Sequence, residues 1–264
     1  MTVEIQGARV LLTGATGGLG HAIARLLHAK GASLTLTGRK TDVLKPLADE
    51  LGARSIAADL SSMASIGAVL DEAGDIDVLI ANAALPGTGL LDDFTLEQID
   101  ANLSVNLRAP IVMTKAVLPQ MLERGHGHIV YIGSVSGITA SPGSSLYNAT
   151  KFGLRGFSNA LRQDLYGTGV GVSIVMPGFV SGAGMAVEGG LIENLPPGVR
   201  TVTPEKVARG VVRAIRRNKG QVVVAPREMR IGATIGSVAP GIAAAAQRMS
   251  GAADIAAGHK GPKS

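Results

Sequence analysis

Short apolar runs alternate with longer amphipathic stretches along the chain as far as Ala225. The runs contain few polar positions and many β-branched residues, which is typical of strands buried on both faces of a parallel sheet. Seven strands are predicted, at Ala8–Thr13, Ser33–Thr37, Ile56–Ala58, Val78–Ala81, Ile129–Ile132, Val170–Met176 and Gln221–Ala225. Apolar residues at helical spacing predict helices at His21–Lys30, Asp42–Leu51, Met63–Ala73, Leu96–Leu122, Ser145–Leu165 and Pro204–Asn218.

This alternation predicts an α/β fold, a doubly wound parallel sheet with helices on both faces. No repeat or low-complexity linker divides the chain, so we expect one domain over residues 1–230. Residues 231–264 lack a strand pattern; we expect them to begin as an apolar helix and to end in a frayed basic tail. Sheets of this kind bind ligands beyond the carboxyl ends of their strands, where motifs therefore carry the most weight.

Composition narrows the possible classes of protein. The 264 residues are 46% apolar and 17% charged, which excludes a mostly disordered chain. The absence of cysteine excludes disulfides, thiolate metal sites and a cysteine nucleophile.

His126 and His128 precede a strand without neighbouring acidic ligands apart from Glu123, so we interpret them as a turn and predict no metal site. The first residues do not resemble a secretory signal, and we expect a cytoplasmic protein.

The formal net charge of +5 is local rather than general. Residues 205–230 carry eight lysines and arginines against two glutamates, most of them on the polar face of the predicted helix Pro204–Asn218. A solvated helix explains this charge, so no nucleic-acid partner is predicted. The uncharged stretch Ile231–Gln247 is interrupted by Pro240 and is too short to span a bilayer. A peripheral membrane or assembly role for residues 231–248 stays open.

A glycine-rich turn follows the first predicted strand and opens the first helix. Its sequence is Thr13-Gly14-Ala15-Thr16-Gly17-Gly18-Leu19-Gly20. Glycines let a backbone approach a pyrophosphate closely, and the free N–H groups of the helix N-terminus bind its negative charge. The turn therefore predicts a nucleotide site formed by Gly14, Thr16, Gly17, Gly18, Leu19 and Gly20.

The end of the second strand indicates which dinucleotide is bound. A carboxylate usually stands there and bonds the adenosine ribose, but this chain has Arg39 and Lys40, with no acid before Asp42. A guanidinium can hold a 2′-phosphate through two hydrogen bonds, which favours NADP(H) over NAD(H). The alternative is that both cations are solvated and that Asp42 only caps the next helix.

Tyr147 and Lys151 lie four residues apart in a predicted helix and hence on one face. A free tyrosine has a pKa near 10, too high for a base at neutral pH. An ammonium at about 4 Å and an effective dielectric constant near 20 would favour the phenolate by about 4 kcal/mol. On this estimate, the pKa of Tyr147 falls to about 7, where acid–base catalysis is efficient.

With these motifs, the chain resembles the classical short-chain dehydrogenase/reductase family. The family's motifs occur in its order over about residues 5–225. The matching residues are those of the glycine turn (Thr13, Gly14, Gly18, Gly20), the Asn-Ala-Gly motif (Asn82-Ala83-Ala84, nearly matched), the helix asparagine (Asn106), the serine (Ser134), the Tyr/Lys pair (Tyr147, Lys151) and the Pro-Gly turn (Pro177-Gly178). The glycine turn also fits the family's extended branch, but a serine thirteen residues before Tyr147 and a short chain favour the classical one.

The resemblance implies a Rossmann-like fold and an NADP(H)-dependent oxidoreductase that transfers a hydride between nicotinamide and a carbonyl or secondary alcohol. Tyr147 would be the general acid/base and Lys151 its helper, bound to the nicotinamide ribose. Ser134 would bond the substrate oxygen, and Asn106 would hold a water linked to Lys151. The resemblance also implies cofactor contacts from Asp59, Leu60, Asn82, Pro177, Gly178 and Val180. It further implies association as a homodimer or homotetramer through the helices Leu96–Leu122 and Ser145–Leu165.

Two positions depart from the family pattern. Ala84 replaces a glycine, and Gly182 stands where a threonine commonly contacts the nicotinamide carboxamide, which leaves Ser181 as a candidate. The family's substrate-lining segments correspond to Val135–Leu146 and Phe179–Val202, and the second contains Met185, Val187, Leu191, Ile192 and Leu195 and a glycine-rich candidate lid. Both are poor in charge, so we expect an uncharged, moderately apolar substrate. A non-catalytic NADP(H)-binding regulator remains the alternative function.

Overall fold

One parallel sheet forms the centre of the computed structural model, which describes residues 3–182 and 200–249. Within those residues the sheet has seven strands in the order β3-β2-β1-β4-β5-β6-β7, and every neighbouring pair is parallel. This confirms the predicted doubly wound α/β sheet. The strands are β1 (Arg9–Thr13), β2 (Ser33–Gly38), β3 (Arg54–Ala57), β4 (Val78–Ala81), β5 (Gly127–Ile132), β6 (Val170–Pro177) and β7 (Gln221–Val224).

Helices cover both faces because successive strand residues point to opposite sides. Leu12 of β1 lies in an apolar cluster with Ile23 and Val211, whereas its neighbour Leu11 lies in a second cluster with Val117 and Leu154. The helices are α1 (Gly18–His28), α2 (Thr41–Glu50), α3 (Met63–Ala73), α4 (Leu96–Leu103), α5 (Ala109–Arg124), α6 (Ser145–Asp164), α7 (Pro204–Arg216), α8 (Arg227–Val238) and α9 (Pro240–Met249).

The helix predicted over Leu96–Leu122 is present, but it is not a regular α-helix throughout. Helix α4 ends at Leu103, the π-helical turn Ser104–Arg108 follows, and α5 begins at Ala109. Pro110 has no N–H to donate to the carbonyl of Asn106, four residues earlier, so the regular α-helical ladder is interrupted there. The wide turn that results contains the predicted site residue Asn106.

The C-terminal part is helical as far as the structure describes it. Helix α8 begins before the expected boundary at residue 231 and ends after it, and it packs against α9. No helix in the described ranges has the length and apolar character needed to cross a bilayer. The expected frayed end, residues 250–264, lies outside those ranges.

Candidate active site

The glycine turn lies between the carboxyl end of β1 and α1. Gly14 has a φ of 65°, and a Cβ built on it would lie 2.7 Å from the Cα of Ala83, so this position requires glycine. A Cβ on Gly20 would overlap the carbonyl oxygen of Gly14. Gly17 is the N-cap of α1 and no side chain caps the first turn, which leaves backbone N–H groups for an anion. This cradle fits the pyrophosphate of a dinucleotide.

Two polar side chains hold this turn against the end of β4. The Thr13 hydroxyl accepts hydrogen bonds from the backbone N–H groups of Asn82 and Ala83, both at 3.0 Å. The Asn82 amide nitrogen donates to the carbonyls of Thr13 and Gly14, also at 3.0 Å. The structure thus places Asn82 as a brace between β1 and β4.

The next strand ends carry the residues predicted for the adenosine end. Arg39 is exposed just after β2, and Thr16 of the glycine turn lies so close to Gly38 that a Cβ there would meet its methyl at 2.7 Å. The Asp59 carboxylate accepts a 2.9 Å hydrogen bond from the Ser61 N–H, which is the main cause of its lowered pKa; attraction to Arg39 contributes as well. Leu60 has its side chain in the core, so any contact with a ligand falls to its main chain.

Ser134, Tyr147 and Lys151 meet at the carboxyl end of β5. Ser134 follows β5, whereas Tyr147 and Lys151 occupy successive turns of α6. The Ser134 hydroxyl lies beside that of Tyr147 and lowers the pKa of the phenol. The Lys151 ammonium donates to the carbonyl of Ile132 at 3.0 Å and lies 5.5 Å from the centroid of the Tyr147 ring. Lys151 and Ser134 are buried, whereas Tyr147 is partly exposed.

The predicted fall of the Tyr147 pKa to about 7 is wrong for this structure. Burial raises the pKa of Tyr147 to about 12, and the neighbouring Ser134 hydroxyl opposes that rise only in part. Burial also lowers the pKa of Lys151 to about 8. Attraction to the ammonium would lower the pKa of Tyr147, but desolvation of the phenolate is the larger effect here.

Asn106 is buried in the π-helical turn, and its side chain is fully engaged in hydrogen bonds. Its amide oxygen accepts from the Leu85 N–H at 2.6 Å, and its amide nitrogen donates to the Leu85 carbonyl at 2.9 Å. It also donates to the amide oxygen of Asn102 at 3.0 Å. With its side chain engaged in these bonds, the expected water would be held by the Asn106 carbonyl, which Pro110 deprives of its α-helical donor.

Sequence reasoning missed two buried asparagines beside the site, Asn102 and Asn148. The amide nitrogen of Asn148 donates to the carbonyls of Ser136 at 2.7 Å and Thr139 at 3.2 Å. It thereby fixes the segment after Ser134 onto α6. In sequence, such residues are indistinguishable from surface or helix-capping asparagines. The four-residue spacing of Asn102 and Asn106 before Pro110 was the one indication that their side chains could bond each other.

The turn after β6 is described as far as Gly182. The Gly178 N–H donates to the Val224 carbonyl at 3.0 Å, and Val180 is buried and bridges to Val202. Pro177 is the last residue of β6, so these three residues lie at the carboxyl edge of the sheet. Gly182 has a φ of 68°, a conformation strained for threonine, which gives a backbone reason for this departure from the family pattern.

Several predicted features lie outside the described residues or form no site. The substrate-lining residues Met185, Val187, Leu191, Ile192 and Leu195, with most of the candidate lid, fall in the range 183–199, which the structure does not describe. Within the described ranges, no three histidine or acidic side chains come close enough together to hold a metal ion. His128 is buried with its Nε2 2.8 Å from the Ser173 hydroxyl, and burial lowers its pKa to about 3.

Known proteins resemble this chain in sequence and structure. The family model described as short chain dehydrogenase matches residues 8–189. A ketoacyl reductase, HetN, from Nostoc sp. is 37% identical over 83% of this chain and 79% of its own length. The NADP-dependent 3-hydroxy acid dehydrogenase YdfG from Escherichia coli O6:H1 is 37% identical over 76% of this chain and 86% of its own length.

A solved structure, the closed form of a serine dehydrogenase complexed with NADP⁺, superposes with a TM-score of 0.75. It is 35% identical and covers 82% of this chain and 94% of its own. This chain therefore belongs to the classical short-chain dehydrogenase/reductase family.

Proposed function

We propose that this protein is an NADP(H)-dependent oxidoreductase that interconverts an uncharged carbonyl compound and its secondary alcohol, with Tyr147 as general acid/base. One observation carries the proposal: the segment from Asn82 to Gly87 connects the two halves of the site. Its start braces the glycine turn, and the carbonyl of Gly87 accepts a 3.2 Å hydrogen bond from the Tyr147 N–H. A ligand seated on the glycine turn can therefore extend along this segment to the phenol.

The side chains around the phenol have separate roles in this proposal. A bound nicotinamide would supply or accept the hydride. Tyr147 would hold the proton at its hydroxyl oxygen and deliver it to the substrate oxygen, while Ser134 donates a hydrogen bond as that oxygen gains negative charge. A pKa raised to about 12 keeps the phenol protonated at neutral pH, which is the form that carbonyl reduction requires.

Lys151 and Asn106 would connect the phenol with the cofactor and with solvent. The Lys151 ammonium is within reach of the Tyr147 ring and has an N–H bonded to Ile132, so its remaining donors can bond ribose hydroxyls. The carbonyl of Asn106 would hold the water through which the lysine exchanges its proton. Further cofactor contacts in this proposal come from Asp59, Leu60, Asn82, Pro177, Gly178 and Val180.

The preference for NADP(H) rests on Arg39. Its guanidinium is exposed at the end of β2, and Asp59, whose pKa it helps to lower, stands after the neighbouring strand β3 rather than after β2. A guanidinium there favours a 2′-phosphate. The relatives named above as NADP-dependent or complexed with NADP⁺ support the same choice.

The substrate and the assembly are also proposals. Val135–Leu146 contains no charged residue, which supports an uncharged substrate. Association as a homodimer or homotetramer is supported by a groove of about 260 Å³ between α5 and α6, lined by Ile111, Thr114, Lys115, Leu118, Pro119, Leu122, Phe157 and Leu161.

The test is oxidation of NADPH and NADH by the purified protein across a panel of ketones and aldehydes. We expect turnover with uncharged carbonyls and a preference for NADPH. Arg39→Ala should weaken NADPH binding about 10- to 100-fold, the value of a charge-assisted hydrogen bond, and leave NADH binding unchanged. Turnover confined to highly charged substrates, or equal use of both cofactors by the unmodified protein, would contradict the respective assignment.

A further inference from the structure

We propose that Asn102, on α4, is a positioning residue for Tyr147. The residue is buried, with 1% of its surface exposed, although it lies on a helix whose other members are partly or fully exposed. Its amide nitrogen donates to the carbonyl of Pro86 at 2.8 Å and, more weakly, to that of Leu85 at 3.4 Å. The proposal rests on the proposed function, because it concerns the placement of the group assigned there as general acid/base.

Asn102 and Asn106 act as a pair because they lie four residues apart. The amide oxygen of Asn102 accepts from Asn106, and Asn106 holds both the N–H and the carbonyl of Leu85. Each polar atom of the Asn102 side chain is thus bonded to an atom of this arrangement. The pair fixes Leu85 and Pro86 through three of their backbone polar groups, which leaves this segment little freedom to move.

Gly87 transmits this constraint to Tyr147. A Cβ built on Gly87 would lie 2.8 Å from the amide nitrogen of Asn102 and 3.2 Å from the backbone nitrogen of Tyr147, so the glycine backbone fills the space between them. The Gly87 carbonyl also accepts the hydrogen bond from the Tyr147 N–H, in the first turn of α6. The start of α6, and with it the phenol, therefore takes its position from the segment that Asn102 holds.

A buried asparagine could contribute to folding alone, so the test compares it with a matched buried hydrogen bond. In Asn102→Leu, both donors and the acceptor are lost at similar volume. Asn102→Asp keeps the acceptor for Asn106 and loses the donor to Pro86. Thr114→Val is the control: Thr114, on α5, is 2% exposed and bonds Tyr131 and Pro110, neither of which belongs to the segment Leu85–Gly87.

The first readout is kinetic. We expect Asn102→Leu to lower kcat at least about ten-fold, since small misplacements of a reacting group are costly, while the Kd of NADPH stays within about two-fold. Asn102→Asp should show a smaller loss in the same direction, and it replaces the leucine variant if that one does not fold. Thr114→Val should keep the kcat of the unmodified protein. Unchanged kcat in a folded Asn102 variant would overturn the proposal.

The second readout does not need activity and separates this inference from the proposed function. The chain has three tyrosines, so their ¹³C-labelled Cζ atoms give three NMR signals, and Tyr147→Phe assigns one of them. The Tyr147 signal at neutral pH should shift in both Asn102 variants and stay in place in Thr114→Val. Should the unmodified protein reduce no carbonyl, the proposed function fails, yet a shifted signal still supports positioning by Asn102 and an unshifted one refutes it.

Discussion

Replacement of Lys151 by methionine should change how the stability of the protein depends on pH. Lys151 is 3% exposed, and burial alone lowers the pKa of its ammonium from 10.5 to about 8. Below pH 8 the folded protein carries this charge out of water, which opposes folding. Between pH 8 and 10.5 the unfolded chain still binds the proton and the folded protein does not, so stability rises with pH.

The size of the effect follows from the two pKa values. At 1.36 kcal/mol per tenfold change, a fall from 10.5 to about 8 corresponds to a cost of about 3 kcal/mol at pH 7. By pH 9.5 most of the buried lysine is neutral, and about 2 kcal/mol of this cost disappears. Methionine has a similar length and no charge, so the Lys151→Met variant lacks this dependence. Loss of the hydrogen bond to Ile132 changes the free energy of unfolding of the variant by an amount that we expect to be the same at each pH.

Urea denaturation of both proteins, from pH 7 to 9.5 and without added dinucleotide, measures the difference in free energy of unfolding. We expect the unmodified protein to gain about 2 kcal/mol over Lys151→Met across this range. The variant should also lose most of its turnover. A difference that is constant with pH, or one of opposite slope, would refute the account of Lys151 as a desolvated ammonium.

Three further predictions concern the glycine turn, an ion-pair cluster and assembly. Gly14→Ala should weaken NADPH binding at least about ten-fold in calorimetry because its Cβ meets the Ala83 backbone, whereas Gly67→Ala, where the space is open, should bind normally. Asp77→Asn loses charged hydrogen bonds to Arg9 and should lower the free energy of unfolding by about 2 kcal/mol at pH 7. Because these bonds lower the pKa of Asp77, the difference between the two proteins should shrink below pH 4, where the Asp77 carboxylate becomes protonated. Leu122→Glu, in the groove between α5 and α6, should reduce the mass measured by light scattering; an unchanged mass would count against association through this face.

The fold could be predicted from sequence because each of its layers leaves a local signal. Buried parallel strands give apolar runs such as Val78–Ala81, and covering helices give amphipathic stretches such as α7. The glycine turn is visible because only glycine tolerates the φ and the close backbone contacts at Gly14. At such positions the backbone geometry permits few residue types, so the residue type predicts the geometry.

Other features depend on contacts between distant residues. The pKa of Tyr147 reflects how completely neighbouring elements enclose its hydroxyl, a property absent from the spacing to Lys151. Asn102 and Asn148 matter because the fold brings backbone carbonyls from other segments to their amides. The π-helical turn was signalled by Pro110, but the helical spacing of apolar residues continues across it and does not distinguish it from a regular α-helix.

In the proposed reaction, this site moves a hydride while Tyr147 supplies the proton. Transfer of deuterium from NADPH labelled at the nicotinamide C4 to a ketone product, followed by mass spectrometry, tests it most directly. We predict that the label appears on the carbinol carbon with the unmodified protein, and that Tyr147→Phe slows transfer about 10²- to 10⁴-fold with unchanged NADPH affinity. Label transfer at the full rate by Tyr147→Phe, or its absence from the product of the unmodified protein, would contradict the account.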